Sequence, residues 1–170
     1  MLSREQRKIL WNMLLAMLIV LILAVMSAMY PIAWHLSRVQ SYFLALVLPT
    51  CSYVIGIGRI ASLRFFDESV SNPLVAADDL RLNIMKQYLS NTHEQLFFAV
   101  IVYALLSWDL PLEHIYLVLL FSICFIVGRL FFANGYKHGA GARSLGFALT
   151  FYSNVIGFLI GLFFLFRSII

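Results

Sequence analysis

Residues 125–147 read FIVGRLFFANGYKHGAGARSLGF. The stretch begins as a membrane helix, carries an arginine (Arg129) among Phe, Ile, Val and Leu, and ends in a bend rich in Gly and Ala. Arg143 and Ser144 follow at once. A guanidinium near the middle of a membrane span costs about 2.5–3.5 kcal/mol on insertion scales. A chain that keeps one there must give it something other than lipid to face. Arg129 stands about 14 residues into its apolar run, roughly 21 Å along a helix, in the half of the membrane from which Arg143 re-enters. Arg129, Phe132 and Tyr136 fall at i, i+3 and i+7, so one helix face bears a charge, a ring and a phenol. Arg143 opens the next helix, where backbone N–H groups are unpaired, and makes a positive pocket suited to an anion.

The composition agrees with a membrane reading. Of 170 residues, 62% are hydrophobic and 12% charged, the latter about half the share of a soluble domain. Lipid must cover much of such a chain. The net charge of +4 comes from basic residues that flank apolar runs. That pattern sets topology and is not a nucleic-acid patch. Cys51 and Cys124 lie inside apolar runs, read as packing residues, and form no metal-ligand spacing.

Apolar runs of spanning length occur at about 9–35, 41–62, 87–107, 114–136 and 145–168. The first follows a basic start, as in a signal peptide, but it is too long and lacks a clear cleavage site, so it reads as a retained helix. Between the second and third runs lies the one long polar segment, with a short amphipathic helix expected near 76–86. With the N-terminus in the cytoplasm, ten of the twelve Lys and Arg residues fall inside, and only Arg38 and Arg167 outside. This asymmetry predicts five helices, N-in and C-out. Gly157-x-x-x-Gly161 predicts close helix contact in the last span.

The third run begins QYLSNTHEQLFFAV, with Gln87, Asn91 and Glu94 on one face. Asn91 and Glu94 also have the spacing of a capping box, so a purely structural role stays open. The predicted topology brings Asn91, Glu94, Arg129, Tyr136 and Arg143 to one membrane face, with Arg59 and Arg64 at the end of the second run. Such a mixed-charge site fits a small zwitterionic or anionic ligand.

These residues carry a resemblance to the MAPEG family, the membrane-associated proteins in eicosanoid and glutathione metabolism. Asn91-x-x-Glu94 starts one helix, Phe125-Ile-Val-Gly-Arg129 lies late in the next, and Tyr136 and Arg143-Ser144 follow. Asn72-Pro73 after Arg64 is a looser match. The resemblance covers about 41–170. It implies an all-α membrane protein with a MAPEG-like four-helix bundle at 41–170, preceded by one extra transmembrane helix within 1–40. It further implies a homotrimer that binds glutathione at the cytoplasmic face, with Arg143 stabilising the thiolate. Arg64, Asn91, Glu94, Arg129, Tyr136 and Ser144 would hold the tripeptide, and a lipophilic small molecule would be the second substrate. The sequence departs from the catalytic pattern at Ser90, where many members have arginine, and at Phe132 and Phe147, where some have histidine and tyrosine. A non-catalytic lipid-binding or scaffold protein on the same fold is the alternative. A transporter ranks third, because the polar residues gather in one half of the membrane. The short chain points to a bacterial inner membrane ahead of the endoplasmic reticulum.

Overall fold

The computed structural model describes residues 2–72 and 79–170, and of Lys137 the backbone alone. The described residues form helices α1 (Arg4–Met29), α2 (Arg38–Phe66), α3 (Glu68–Ser71), α4 (Leu80–Asp109), α5 (Leu117–Gly135) and α6 (Ala140–Ile169). Short 3-10 turns at Leu112–His114 and Tyr136–His138 lead into and out of α5. Ser3 with Gln6, and Ser37 with Gln40, form reciprocal capping boxes that start α1 and α2. α1 stops at Met29, earlier than its apolar run, because Tyr30 precedes Pro31 and proline disfavours helical backbone in the residue before it. α2, α4 and α6 reach beyond their apolar runs into polar flanks, and α5 falls just inside its own.

α1, α2, the helix leading to Gly135, and α6 are each long and apolar enough to cross a membrane. α4 departs from the expected set of five. It has 30 residues and packs along α2 and α6, but Gln87, Asn91, Thr92, His93, Glu94 and Gln95 lower its apolarity. Those side chains belong to the interior and to one uncovered helix face. Of the amphipathic helix expected near 76–86, residues 80–86 are the first turns of α4; the remainder lies outside the described residues, as does Pro73. Asp79 caps α4 by accepting from the Leu82 N–H at 2.8 Å. Asn91 and Glu94 therefore sit three turns inside a continuous helix, and the capping reading of that pair does not hold.

α5 and α6 form an antiparallel hairpin whose backbones touch. A Cβ added to Gly146 would collide with the Phe132 amide nitrogen and the Gly128 carbonyl oxygen. One on Gly135 would lie 2.5 Å from the Ala142 carbonyl oxygen. Glycine at these three positions lets the helices meet without side chains between them, as small residues do in membranes. Further along, Gly157 and Gly161 receive Val102, Leu106 and Leu105 of α4, so the expected close contact forms within the chain. Tyr103, Phe121, Phe125 and Leu106 fill the fully buried core between the helices. Trp11, Phe43, Phe97 and Phe163 point outward, the lipid-facing complement of that core. Cys124 is buried as expected, whereas Cys51 is exposed on the outward face of α2.

One end of the bundle gathers the N-termini of α1, α4 and α6 and the C-termini of α2 and α5. At the other end Arg38 donates to the carbonyl oxygens of Ser107 (2.9 Å) and Leu110 (2.7 Å). It thereby satisfies acceptors left open at the α4 C-terminus, which accounts for one of the two basic residues that break the charge asymmetry. α1 is tied down there by His114 Nδ1 on the Ser27 carbonyl oxygen (2.7 Å) and by the Tyr116 hydroxyl on the Tyr30 carbonyl oxygen (2.7 Å).

Candidate functional site

Close approach of α5 and α6 places Arg129 against Thr150. Arg129 is 1% exposed. Its Nε and Nη2 donate to Thr150 Oγ1 at 3.2 and 2.9 Å, and its Nη1 donates to Asn91 Oδ1 at 2.7 Å. The Thr150 hydroxyl proton goes to the Gly146 carbonyl oxygen at 2.9 Å, which leaves its lone pairs for the guanidinium. The rings of Phe125 and Phe132 lie 5.7 and 4.7 Å from Arg129 Cζ. Among the described residues no carboxylate pairs with it, the only ion pairs being those of Arg81. The charge is held by oxygens and π faces, so Arg129 ties α4, α5 and α6 together and avoids lipid.

From Arg129 a ladder of rings leads toward the surface. Phe132 and Tyr136 are 5.5 Å apart and edge to face, and Arg143 Cζ stands 4.6 Å from the Tyr136 ring centroid. Beside this ladder a cavity of about 380 Å³ is lined by Ile9, Gln87, Asn91, Phe132, Tyr136, Ala140, Arg143, Ser144 and Phe147. That size lies within the range of small-molecule sites, roughly 300–1,000 Å³. Among the described side chains Arg143 is the only charged one in its wall. Asn91 presents its Oδ1 to Arg129, which leaves its amide N–H groups for the cavity. Four of the predicted residues (Asn91, Tyr136, Arg143 and Ser144) thus meet at one cavity, and Arg129 stands directly behind it.

Arg64 and Glu94 are not in that wall. Glu94 is exposed, on a stripe of α4 shared with Gln87, Ser90 and Phe97. Arg64 closes the last turn of α2, with its Nε buried and without a partner among the described residues. On the far side of Tyr136 a larger cavity, about 500 Å³, is lined by Arg59, Arg81, Ile84, Met85 and Tyr88. Arg81 itself is clamped by Asp67 Oδ2 (2.7 Å) and Asp79 Oδ2 (2.9 Å). Bonds from Ser69 and Arg81 hold the Asp67 carboxyl below the usual carboxylate range; for Asp79, Arg81 and the Leu82 N–H do the same.

Several contributors escape sequence reading. Thr150 is an ordinary residue in an apolar helix, and only the contact of Gly128 with Gly146 makes it Arg129's acceptor. Asn12 had a visible signal as the one amide in the apolar stretch LWNMLL. Its Nδ2 donates to the Gly141 carbonyl oxygen and to Ser144 Oγ, both at 2.9 Å. One layer deeper, Asn154 Nδ2 donates to the Gln95 carbonyl oxygen at 3.1 Å. The Tyr103 hydroxyl and Ser107 Oγ are buried without partners among the described residues, so the far half of the bundle is less purely apolar than expected.

Fold and apolar spans define an all-α, multi-pass membrane protein with a cavity lined by Arg143 at one end of its helices. The model of the MAPEG family matches residues 39–163, most of the chain, and the protein belongs to that family. The match begins after α1, which is therefore an additional N-terminal helix. No curated protein and no solved structure matched the chain in the same comparisons.

Proposed function

We propose that the protein is a glutathione-dependent membrane transferase or peroxidase acting on lipophilic electrophiles. The observation that carries this reading is the meeting of Arg143, Ser144, Asn91 and Tyr136 around one cavity with no carboxylate among the described residues of its wall. Glutathione carries one net negative charge at neutral pH, which suits a wall whose only charge among the described side chains is a guanidinium. When bound it supplies a thiol whose ionised sulfur attacks an electrophile. A thiol with a pKa near 8.5 is mostly protonated at neutral pH, and a fixed cation lowers that value. Arg143 fills this role, and its stacking on Tyr136 restrains it for the task. The Asn91 amide N–H groups are donors for a peptide carbonyl or carboxylate. Arg129 acts through Asn91, whose oxygen it holds.

Arg64 and Glu94 belong to the proposal as contacts for the tripeptide ends, with Glu94 pairing the ammonium across a subunit boundary. Polar side chains at membrane depth are costly unless covered. The uncovered stripe of Gln87, Ser90 and Glu94 therefore supports a homo-oligomer, and family membership supports a trimer. The charge asymmetry supports a cytoplasmic N-terminus, and the short chain supports a bacterial inner membrane.

One observation favours the second reading, a non-catalytic lipid-binding or scaffold protein. Phe132 and Phe147 give the cavity two apolar rings where a polar site would place donors. Conjugation of glutathione to a lipophilic aryl halide, assayed with purified protein in vesicles, separates the two. The enzyme reading predicts turnover that Arg143→Ala reduces at least tenfold while the oligomer persists. Glutathione-independent behaviour of an intact oligomer would select the scaffold.

A further inference from the structure

α1 lies outside the family match, yet it reaches the site. Ile9 lines the cavity, and three residues on Asn12 enters the first turn of α6. α1 packs closely on Gly141, where an added Cβ would lie 3.1 Å from Lys8 Cδ and 3.5 Å from Glu5 Cγ. Glu5 Oε1 accepts from the Gly141 N–H at 3.3 Å. α1 is thus fitted to the start of α6 by backbone, side chain and shape together.

The hydrogen bonds around Ser144 have a particular economy. Its hydroxyl donates back to the Gly141 carbonyl oxygen at 3.1 Å, and its oxygen accepts from Asn12. Asn12 spends its second N–H on that same Gly141 carbonyl. That carbonyl also accepts the Leu145 N–H of the α6 ladder, so it stays satisfied wherever the Ser144 hydroxyl points. If the Ser144 hydroxyl turns toward an anion in the cavity, Asn12 still donates to Ser144 Oγ. A hydroxyl whose oxygen already accepts a bond is a better donor, because hydrogen bonds in a chain polarise one another.

We propose that Asn12 of the additional helix is a positioning residue that orients and polarises the Ser144 hydroxyl as a donor to an anionic ligand, the glutathione thiolate under the function proposed above. The cavity then draws a working residue from a segment outside the family match.

The test is a double-mutant cycle of Asn12→Ala and Ser144→Ala in the full chain, with Val20→Ala as control. Val20 is buried in α1 and is not among the residues that line the cavity, so its truncation loosens the helix and leaves the Asn12 bonds in place. Calorimetry gives glutathione affinity, and ultraviolet absorbance gives the pKa of the bound thiol. Asn12→Ala is expected to weaken binding about tenfold and raise the bound thiol pKa, as Ser144→Ala does, with the double variant no worse than either single one. Val20→Ala is expected to lower thermal stability and leave the thiol pKa unchanged. An unaltered thiol pKa in Asn12→Ala, or additive losses in the double variant, would overturn the proposal. If the parent binds no glutathione, the proposed function fails, and the cycle is read with thiosulfate. A tenfold loss of thiosulfate affinity in Asn12→Ala would then uphold the role of Asn12, and equal affinity or no thiosulfate binding by the parent would overturn it.

Discussion

Replacing Thr150 by Val removes the oxygen that holds two of Arg129's N–H groups and keeps the side chain's outline. Interhelical hydrogen bonds between neutral groups in membranes average about 0.6 kcal/mol. Those to a charged group are worth about 1.5–3 kcal/mol. Here one bond is 2.9 Å and the other 3.2 Å, on a shared acceptor, in a residue 1% exposed. The bond to Asn91 and the two ring contacts remain, so Thr150→Val is expected to cost about 2–4 kcal/mol. Equilibrium unfolding in mixed micelles measures this, with Ser153→Ala as a comparator. The Ser153 hydroxyl bonds the Thr150 carbonyl within the same helix at 2.9 Å, and its loss is expected to cost about 0.5 kcal/mol, a typical neutral bond. Indistinguishable losses in the two variants would refute the claim that Arg129 is satisfied by α6, and with it the reason this arginine is tolerated.

Gly146→Ala drives a methyl into the Phe132 amide and the Gly128 carbonyl; since neither is a movable side chain, the loss is expected at or above the upper end of about 1–3 kcal/mol, and thermal unfolding reads it. Arg38→Ala leaves the Ser107 and Leu110 carbonyls without their charged donor and is expected to fray the end of α4, seen as faster amide exchange around 107–110 with the site end unchanged. The Asp67 and Asp79 carboxyls have pKa values held low in the folded protein. Their contribution is therefore complete above about pH 4 and is lost as pH falls through the lowered values. Arg81→Ala is expected to reduce this acid-side loss without removing it, because the Ser69 and Leu82 bonds remain, and a melting series from pH 6 downward checks it.

How much was legible follows the physics of each residue. Spans, hairpin and cationic end could be read because hydropathy and charge are properties of stretches, and Arg129 announces itself wherever it stands among apolar residues. The convergence of Asn91, Tyr136, Arg143 and Ser144 followed from alternating helix direction, which brings every second terminus to one end. The start of α4 at Leu80 was harder, since its first turns are polar and only the Asp79 cap marks them. Thr150's role was hidden because it depends on two glycines eighteen positions apart, Gly128 and Gly146, meeting across a hairpin. The exposure of Glu94 was equally unreadable: its position on the helix face is fixed by sequence, but which helix covers that face depends on packing.

Under the proposed function, a guanidinium from the start of α6 serves an ionised thiol. The direct measurement is a pH titration of glutathione bound to the purified protein, followed by thiolate absorbance, in the parent and in Arg143→Ala. The bound thiol pKa is expected to be lowered by about 1–3 in the parent, the range for an adjacent opposite charge, and restored toward the free value in the variant. A bound thiol that titrates in the parent as it does in free solution would contradict it.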